Sequence, residues 1–137
     1  MLQGKRPAYE KLKFYQDICE LRRLVWVITE RFRKTQLRLV SQMCDAARSA
    51  KQNIREGYKR GTLGEFIRSI KISRASLEEL SGDIDDCFAD GLITKQEYEE
   101  LSRLLFSADY LSSRYLLALY KMEREGSWKV PGAHLRK

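Results

Sequence analysis

Basic side chains concentrate in the middle of this 137-residue chain and could bind phosphate. From residue 48 to residue 74, eight bases face two acids. The bases recur mostly at helical spacing and are Arg48, Lys51, Arg55, Lys59, Arg60, Arg68, Lys71 and Arg74. Several cations on one surface can contact a nucleic-acid backbone, and Tyr58 among them could stack an unpaired base. We therefore predict that these nine residues bind nucleic acid, with an ordinary solvated helix face as the alternative.

The charge distribution supports the attraction of a polyanion. The net charge is +7, and from residue 78 to residue 100 nine acids face one base. This separation of charge favours binding of a polyanion to the basic part of the chain. It equally allows the basic and acidic faces of neighbouring subunits to meet.

Other chemistry has weak support. No nucleophile and base converge in the sequence, and Gly57, Gly61 and Gly64 lack the spacing of a phosphate-binding loop. The cysteines Cys19, Cys44 and Cys87 are dispersed, and the only histidine, His134, lies in a polar tail, which disfavours a metal site. We expect a binding protein rather than an enzyme, with no cofactor and no metal. The acidic cluster Asp83, Asp85, Asp86 and Asp90 is expected to be a solvated face.

The elements that position these residues are helices. Gly and Pro are scarce, with 8 and 2 copies, and apolar residues recur at steps of three and four in four segments. We predict an all-α, antiparallel up-down-up-down four-helix bundle. The expected segments are residues 9 to 32, a helix from near Thr35 to Gly57, a third from Thr62 to Asp90, and a fourth from Thr94 to Gly126.

Apolar stripes define the expected core. The predicted stripe residues are Phe14, Ile18, Leu21, Val25, Ile28 and Phe32 in the first helix, Val40, Met43, Ala47, Ala50 and Ile54 in the second, Phe66, Ile70, Leu77, Leu80, Ile84 and Cys87 in the third, and Leu101, Leu104, Ala108, Leu111, Tyr115, Ala118 and Met122 in the fourth. Thr62 with Glu65, and Thr94 with Glu97, have the spacing of capping boxes.

The domain organisation follows from these segments. We predict an N-terminal extension at residues 1–8, the bundle at 9–126 and a flexible C-terminal tail at 127–137. No uninterrupted apolar run is long enough to span a membrane, and the N-terminus has no signal-peptide core. We therefore expect a soluble, cytoplasmic protein with no membrane partner.

Several large side chains lie off the stripes. Trp26, Tyr110, Leu117 and Tyr120 provide more apolar surface than one bundle requires. They could cap the ends of the core, but aromatic residues of this kind also favour subunit interfaces. We predict that these four residues form an oligomer interface.

The segment from Asn53 to Gly61, followed by Glu65-Phe66-Ile67-Arg68, resembles the four-helix-bundle proteins encoded by intervening sequences of 23S ribosomal RNA genes. The stretches Tyr9 to Gln16 and Ala75 to Leu80 are similar to the same family, so the resemblance covers residues 9 to 120. This chain departs from the family pattern before Asn53, where many members carry a proline, and at Arg55, where alanine is usual. Both departures add charge to the second helix.

The resemblance implies a homopentamer and a relation to the accessory variability proteins of diversity-generating retroelements, which bind nucleic acid and a reverse transcriptase. The leading hypothesis is an oligomeric accessory protein that presents RNA or DNA to a partner enzyme such as a reverse transcriptase. The alternative is a protein-interaction scaffold with no direct nucleic-acid role. Asn53 and Glu56 are expected to be structural, bridging the end of the second helix to its neighbour.

Overall fold

Residues 7–128, which the computed structural model describes, form four α-helices and no strand. The helices are α1 (Lys13–Thr29), α2 (Leu37–Lys59), α3 (Leu63–Ala89) and α4 (Lys95–Glu125), with short 3-10 turns at Ala8–Lys11 and Glu30–Phe32. Each helix packs on the next one in the chain, and α4 packs back on α1. Because the connections are short, neighbouring helices run antiparallel. The prediction of an all-α four-helix bundle is confirmed.

The predicted stripes form the core in the first three helices. Every stripe residue of α1, α2 and α3 is buried, as is Phe32 after α1. Ser73, the one polar residue within the α3 stripe, is buried and donates its hydroxyl hydrogen to the carbonyl oxygen of Ala50 at 2.7 Å. This bond satisfies the hydroxyl inside the core.

In α4 the predicted stripe fails in its second half. Leu101, Leu104 and Ala108 are buried, but Ala118 is exposed. The buried positions in this half are instead Ser112, Leu116 and Leu119. An unstrained helix has 3.6 residues per turn, so its buried face drifts away from a strict three-four alternation over several turns.

Local sequence signals determine the helix ends. Thr94 and Glu97 form a complete capping box, in which the Thr94 backbone N–H donates to the Glu97 carboxylate at 2.9 Å and the Glu97 N–H donates to the Thr94 hydroxyl at 3.0 Å. At Thr62 the hydroxyl accepts the Glu65 N–H at 3.2 Å and donates to the Glu65 carboxylate, so only half of the predicted box forms. Gly126 ends α4 in the left-handed conformation with φ 65°.

The first segment is not one continuous helix. The chain is extended at Leu12, so the turn Ala8–Lys11 is separate from α1. This break places the buried Tyr9 ring 5.1 Å from the Tyr15 ring and 5.3 Å from the Tyr58 ring. The predicted N-terminal extension therefore ends in an ordered turn, and residues 1–6 lie outside the described range.

The predicted C-terminal tail lies mostly outside the described residues, which end at Trp128. The half-buried Trp128 ring packs 5.6 Å from Phe66, and its Nε1–H points to the Gly61 carbonyl oxygen at 3.4 Å. The start of this segment therefore covers the end of the bundle where α2 meets α3. His134 is among the residues that are not described.

A charge pair joins the turn after α1 to the start of α4. Two guanidinium nitrogens of Arg31 donate to the two carboxylate oxygens of Glu97 at 2.9 and 2.7 Å. Chiefly through these bonds, Arg31 lowers the pKa of Glu97 from 4.5 to about 2. Because the folded-state pKa lies below the unfolded value, this stabilisation is present above pH 4.5 and is lost as the pH falls through about 2.

We expect Glu97→Gln to lower the free energy of unfolding by about 1 to 2 kcal/mol near pH 7, less than the full shift implies because the pair is partly exposed. Glutamine can still cap α4, so the loss reports the charge pair. Urea unfolding near pH 7 and near pH 2.5 measures it, and the difference from the parent should shrink at the lower pH. Glu99→Gln, at an exposed position of the same helix, is the control. Equal losses at both pH values would contradict the assignment.

Candidate nucleic-acid interface

The basic residues of α2 lie along its boundary with α1. Arg48 lines a hollow together with Arg22 and Trp26 of α1. Lys51 lines the next hollow along this boundary, together with Cys19 and Arg22. The charge of Arg55 lies close enough to the Tyr9 phenol to lower its pKa, although burial, the larger effect, leaves that pKa raised. Arg48, Lys51 and Arg55 therefore lie on one face of α2, as their spacing predicts. This face borders the N-terminal turn and α1.

Two arginines of α1 join this boundary and were not part of the sequence prediction. Arg22 contributes to the hollows of both Arg48 and Lys51. The neighbouring Arg23 is exposed and is held by Glu20 of the same helix, with its Nε 2.6 Å from that carboxylate. Arg22 follows the stripe residue Leu21 directly, so its position at the edge of the core could be foreseen. Which helix would lie beside it could not be foreseen.

We call the set Arg22, Arg48, Lys51 and Arg55 the α1–α2 basic surface. None of the four forms an ion pair within residues 7–128. Arg48 and Arg55 are exposed, whereas Arg22 and Lys51 are half-buried. Cations without an ion pair are available to an external anion. The same hollows are also lined by the acids Glu10, Glu20 and Asp45, which reduce the local excess of positive charge.

Burial and charge act together on the thiol inside this surface. Burial raises the pKa of Cys19, and the nearby Lys51 charge partly opposes that effect. Tyr15 is hydrogen-bonded to Cys19, and burial likewise is the main cause that raises the pKa of Tyr15. Both groups therefore stay protonated near neutral pH and add no negative charge beside Lys51.

The basic residues of α3 lie on a different side of the bundle. Lys71 lies over the Tyr120 ring of α4, with its Nζ 5.4 Å from the ring centroid. Arg74 forms an ion pair with Asp109 of α4 at 2.8 Å. Neither residue shares a surface with Arg48, which lies beside α1. The structure thus divides the predicted basic area between the α1–α2 boundary and the α3–α4 boundary.

Three further predicted residues surround the turn between α2 and α3. Lys59, Arg60 and Arg68 are exposed and have no ion pair within the described part of the chain. They extend the basic area at the end of the bundle where Trp128 packs. Their contact with a nucleic acid stays a prediction, as it does for the other basic residues.

Tyr58 is half-buried in an aromatic cluster. Its ring centroid lies 5.4 Å from Phe66, 5.3 Å from Tyr9 and 6.4 Å from Trp128. These three contacts cover much of the surface of the Tyr58 ring. The observed packing accounts for Tyr58 through the core, so the predicted stacking on a base finds no support in this arrangement.

The motif around Asn53 holds α2 against α3. The Asn53 side-chain amide donates to the Ser49 carbonyl at 2.9 Å and to the Ser49 hydroxyl at 3.1 Å, and that hydroxyl lies 3.0 Å from the Ser76 hydroxyl of α3. Asn53 therefore has the expected structural role, acting through Ser49. Glu56 is exposed, and its carboxylate forms no hydrogen bond within residues 7–128, so its expected bridge to α3 is not observed.

The predicted oligomer-interface residues differ in exposure. Leu117 is 65% exposed, Tyr110 and Trp26 are each 51% exposed, and Tyr120 is half-buried beneath Lys71. Phe106, 73% exposed, is the most exposed large apolar residue of the described chain and was missed. It lies one turn before Tyr110 and stacks on it with ring centroids 6.4 Å apart. The spacing of the apolar residues Phe106, Tyr110 and Leu117, by four and then seven positions, was the available signal for this second stripe on α4.

The acidic cluster is not wholly solvated. Asp83 is buried and accepts hydrogen bonds from the Gln42 amide at 3.1 and 3.0 Å, which ties α3 to α2. Asp85 accepts the Tyr98 hydroxyl at 2.7 Å. The expectation of a solvated face is therefore wrong for Asp83, because helix packing places it in the α2–α3 contact. Residues 7–128 contain no group of three His, Cys, Asp or Glu side chains that could hold a metal ion.

Fold and surface together define a basic four-helix bundle with unpaired cations along one helix boundary. None of its helices, within the described residues, has the length and apolar character needed to cross a membrane. A family model described as 23S rRNA-intervening sequence protein matches residues 10–111. The chain belongs to this family, which confirms that part of the sequence resemblance. Comparison with curated proteins gives no match.

Proposed function

We propose that this protein binds nucleic acid through the α1–α2 basic surface and acts by binding rather than by catalysis. One observation carries the proposal: three cations from two helices, Arg22, Arg48 and Lys51, line adjoining hollows of one boundary without an ion-pair partner in the described chain. Arg55 follows them at helical spacing on α2 and is also without an ion pair in the described chain. Such a surface is complementary to a phosphate backbone. The family name is consistent with an association with RNA.

The proposed role is that of an accessory protein that presents RNA or DNA to a partner enzyme such as a reverse transcriptase. The support for this partner is the resemblance to the intervening-sequence family, which implies a relation to the accessory variability proteins of diversity-generating retroelements. Assembly into a homo-oligomer, a pentamer by the same resemblance, would repeat the basic surface around a ring and raise the apparent affinity through avidity. A reverse-transcriptase gene beside this gene would favour the role, whereas insertion in a ribosomal RNA gene would not.

The test replaces two exposed cations, Arg48→Gln with Arg55→Gln, and measures binding of a labelled 20-nucleotide RNA by anisotropy across a salt series. We expect the affinity to fall roughly tenfold or more near 0.1 M salt. The log-log salt slope should become flatter by about 0.7 for each single-strand phosphate that the variant no longer neutralises. Helicity should not change, because both side chains point away from the core.

The matched control is Lys95→Gln with Arg103→Gln, which removes the same charge from two exposed positions of α4. This variant should bind like the parent, since neither residue belongs to the α1–α2 basic surface. If both double variants bind as the parent does, the surface is only solvated. If both weaken equally, net charge and not this surface accounts for binding.

The second candidate function is a protein-interaction scaffold. It is favoured by the outward-facing apolar side chains of α4, Phe106, Tyr110 and Leu117, which are half to three-quarters exposed. Contiguous exposed apolar side chains mark protein contacts. A chain that assembles through this stripe and fails to bind RNA or DNA at low salt would support the scaffold function.

A further inference from the structure

Trp26 lies in an unusual place for a large apolar side chain. It is 51% exposed, and the Arg33 guanidinium carbon lies 4.3 Å from its ring centroid. The ring lines two hollows of the α1–α2 boundary, one shared with Arg22 and Arg48 and the other with Arg33 and Leu37. Three guanidinium groups therefore surround an indole that is half open to solvent.

The two hollows have room for a planar group. Their volumes are about 270 and 290 Å³, and one water molecule takes about 30 Å³. A ring of several heavy atoms can therefore approach Trp26. Positive charge around an aromatic platform is the combination that binds an unpaired base together with its neighbouring phosphates.

We infer that Trp26 is a stacking platform for an unpaired base of a single-stranded nucleic acid, with Arg22 and Arg48 contacting the adjoining phosphates. This inference rests on the proposed function and names its ligand class as single-stranded. In a duplex the bases are stacked on one another, and their faces are not available to an indole. Arg33, held by Glu30 at 3.1 Å, fixes the indole by a cation–π contact.

Charge argues against a two-fold contact with a second copy of the chain at this position, and the molecular mass of Trp26→Ala tests a contact with a different face of a neighbouring copy. A two-fold contact through Trp26 would bring Arg22, Arg33 and Arg48 against the same residues of the other copy, and like charges repel. The acid that lines both hollows is Asp45. Its carboxylate would repel a phosphate but can accept a hydrogen bond from a base N–H group. The base is therefore placed at the centre of the site and the phosphates beside Arg22 and Arg48.

The experiment uses Trp128→Phe, which keeps an aromatic ring against Phe66 and leaves Trp26 as the only tryptophan, since the chain has two. Its fluorescence is followed during titration with three probes of equal length: oligo(dT), the same backbone with abasic sites, and a DNA duplex. We expect strong quenching by oligo(dT) and little by the other two, because only oligo(dT) offers unpaired bases.

The companion variants are Trp26→Ala and Trp26→Phe, each measured by anisotropy. Trp26→Ala should weaken oligo(dT) binding about 5- to 100-fold and leave the abasic strand unchanged, and Trp26→Phe should retain most of the affinity. Light scattering should give the same mass for all variants. The inference is overturned if Trp26→Ala binds oligo(dT) as tightly as the parent does and oligo(dT) does not quench the fluorescence of Trp128→Phe. The proposed binding of nucleic acid by the α1–α2 basic surface would still stand.

Two other outcomes are distinct. If Trp26→Ala has a lower molecular mass than the parent and oligo(dT) does not quench Trp128→Phe, the indole contacts another subunit and the inference is overturned. Absence of binding to all three probes at low salt overturns the proposed function itself. The abasic strand separates these cases, because it tests phosphate binding without any base.

Discussion

Replacing Gly57 with alanine should lower the free energy of unfolding by about 1 to 3 kcal/mol, although alanine is the better helix former. A Cβ atom at Gly57 would lie 2.0 Å from the Ser69 Oγ and 2.2 Å from the Ser69 Cβ of α3. Real carbon and oxygen atoms cannot approach so closely, so α2 and α3 would have to separate. This close contact between α2 and α3 explains why a glycine occupies position 57 of the Asn53 to Gly61 motif.

Gly82→Ala is the matched control, since a Cβ atom at this exposed position of α3 meets nothing within 4 Å. It should stabilise the protein by about 0.5 to 1 kcal/mol through helix propensity alone. Urea unfolding at one protein concentration measures both variants, because an oligomer's stability depends on concentration.

A second variant identifies the cause. Adding Ser69→Gly to Gly57→Ala removes the atoms that clash and should recover part of the lost stability, giving a favourable coupling in a double-mutant cycle. Additive losses, with no recovery, would mean that the Ser69 side chain is not the obstacle. Equal stability of Gly57→Ala and the parent would show that the two helices separate at little cost.

We expect Phe106→Glu combined with Leu117→Glu to convert an oligomer into a monomer. These side chains are 73% and 65% exposed in the single chain and lie on the outward stripe of α4 with Tyr110. Burying such surface against another copy contributes roughly 25 cal/mol for each square ångström of apolar area, from which the entropy cost of association is subtracted. Two carboxylates placed there would have to lose their hydration on assembly, which costs several kcal/mol.

Light scattering at tens of micromolar measures the outcome. The parent should have the mass of several chains, five by the family resemblance, and the double variant the mass of one. Ile72→Glu, which replaces an exposed apolar residue of α3, is the control and should keep the parent's mass. A monomeric parent would contradict the predicted interface, and a variant that stays oligomeric would place the interface elsewhere.

Much of the fold could be predicted from the sequence because its determinants are local. The capping residues Thr62 and Thr94, the turn at Gly91 and the cap at Gly126 act on backbone groups a few residues away. The stripes of α1, α2 and α3 follow from helical periodicity. In α4 the strict alternation misplaced Ala118, because the drift of a straight helix accumulates over its 31 residues.

The candidate site could be predicted only in part. The spacing of Arg48, Lys51 and Arg55 puts them on one face of α2, whatever that helix packs against. It does not say that Arg22 lies across from them, or that Lys71 and Arg74 are turned toward α4. The basic residues of α2 and α3 are close in sequence on either side of the turn at Gly61, and for this reason the sequence predicted one continuous surface.

The sequence by itself determined four helices, the ends of α3 and α4, most of the buried faces and the excess of positive charge between residues 48 and 74, since each depends on residue type and short-range spacing. The tertiary structure alone decided which helix lies beside which, and so which charges meet. It divided the basic residues between two boundaries, packed Tyr58 inward against Phe66 and left Trp26 half open among arginines. The physical reason is that helix order and rotation arise from packing between segments distant in sequence, which no single segment's pattern contains.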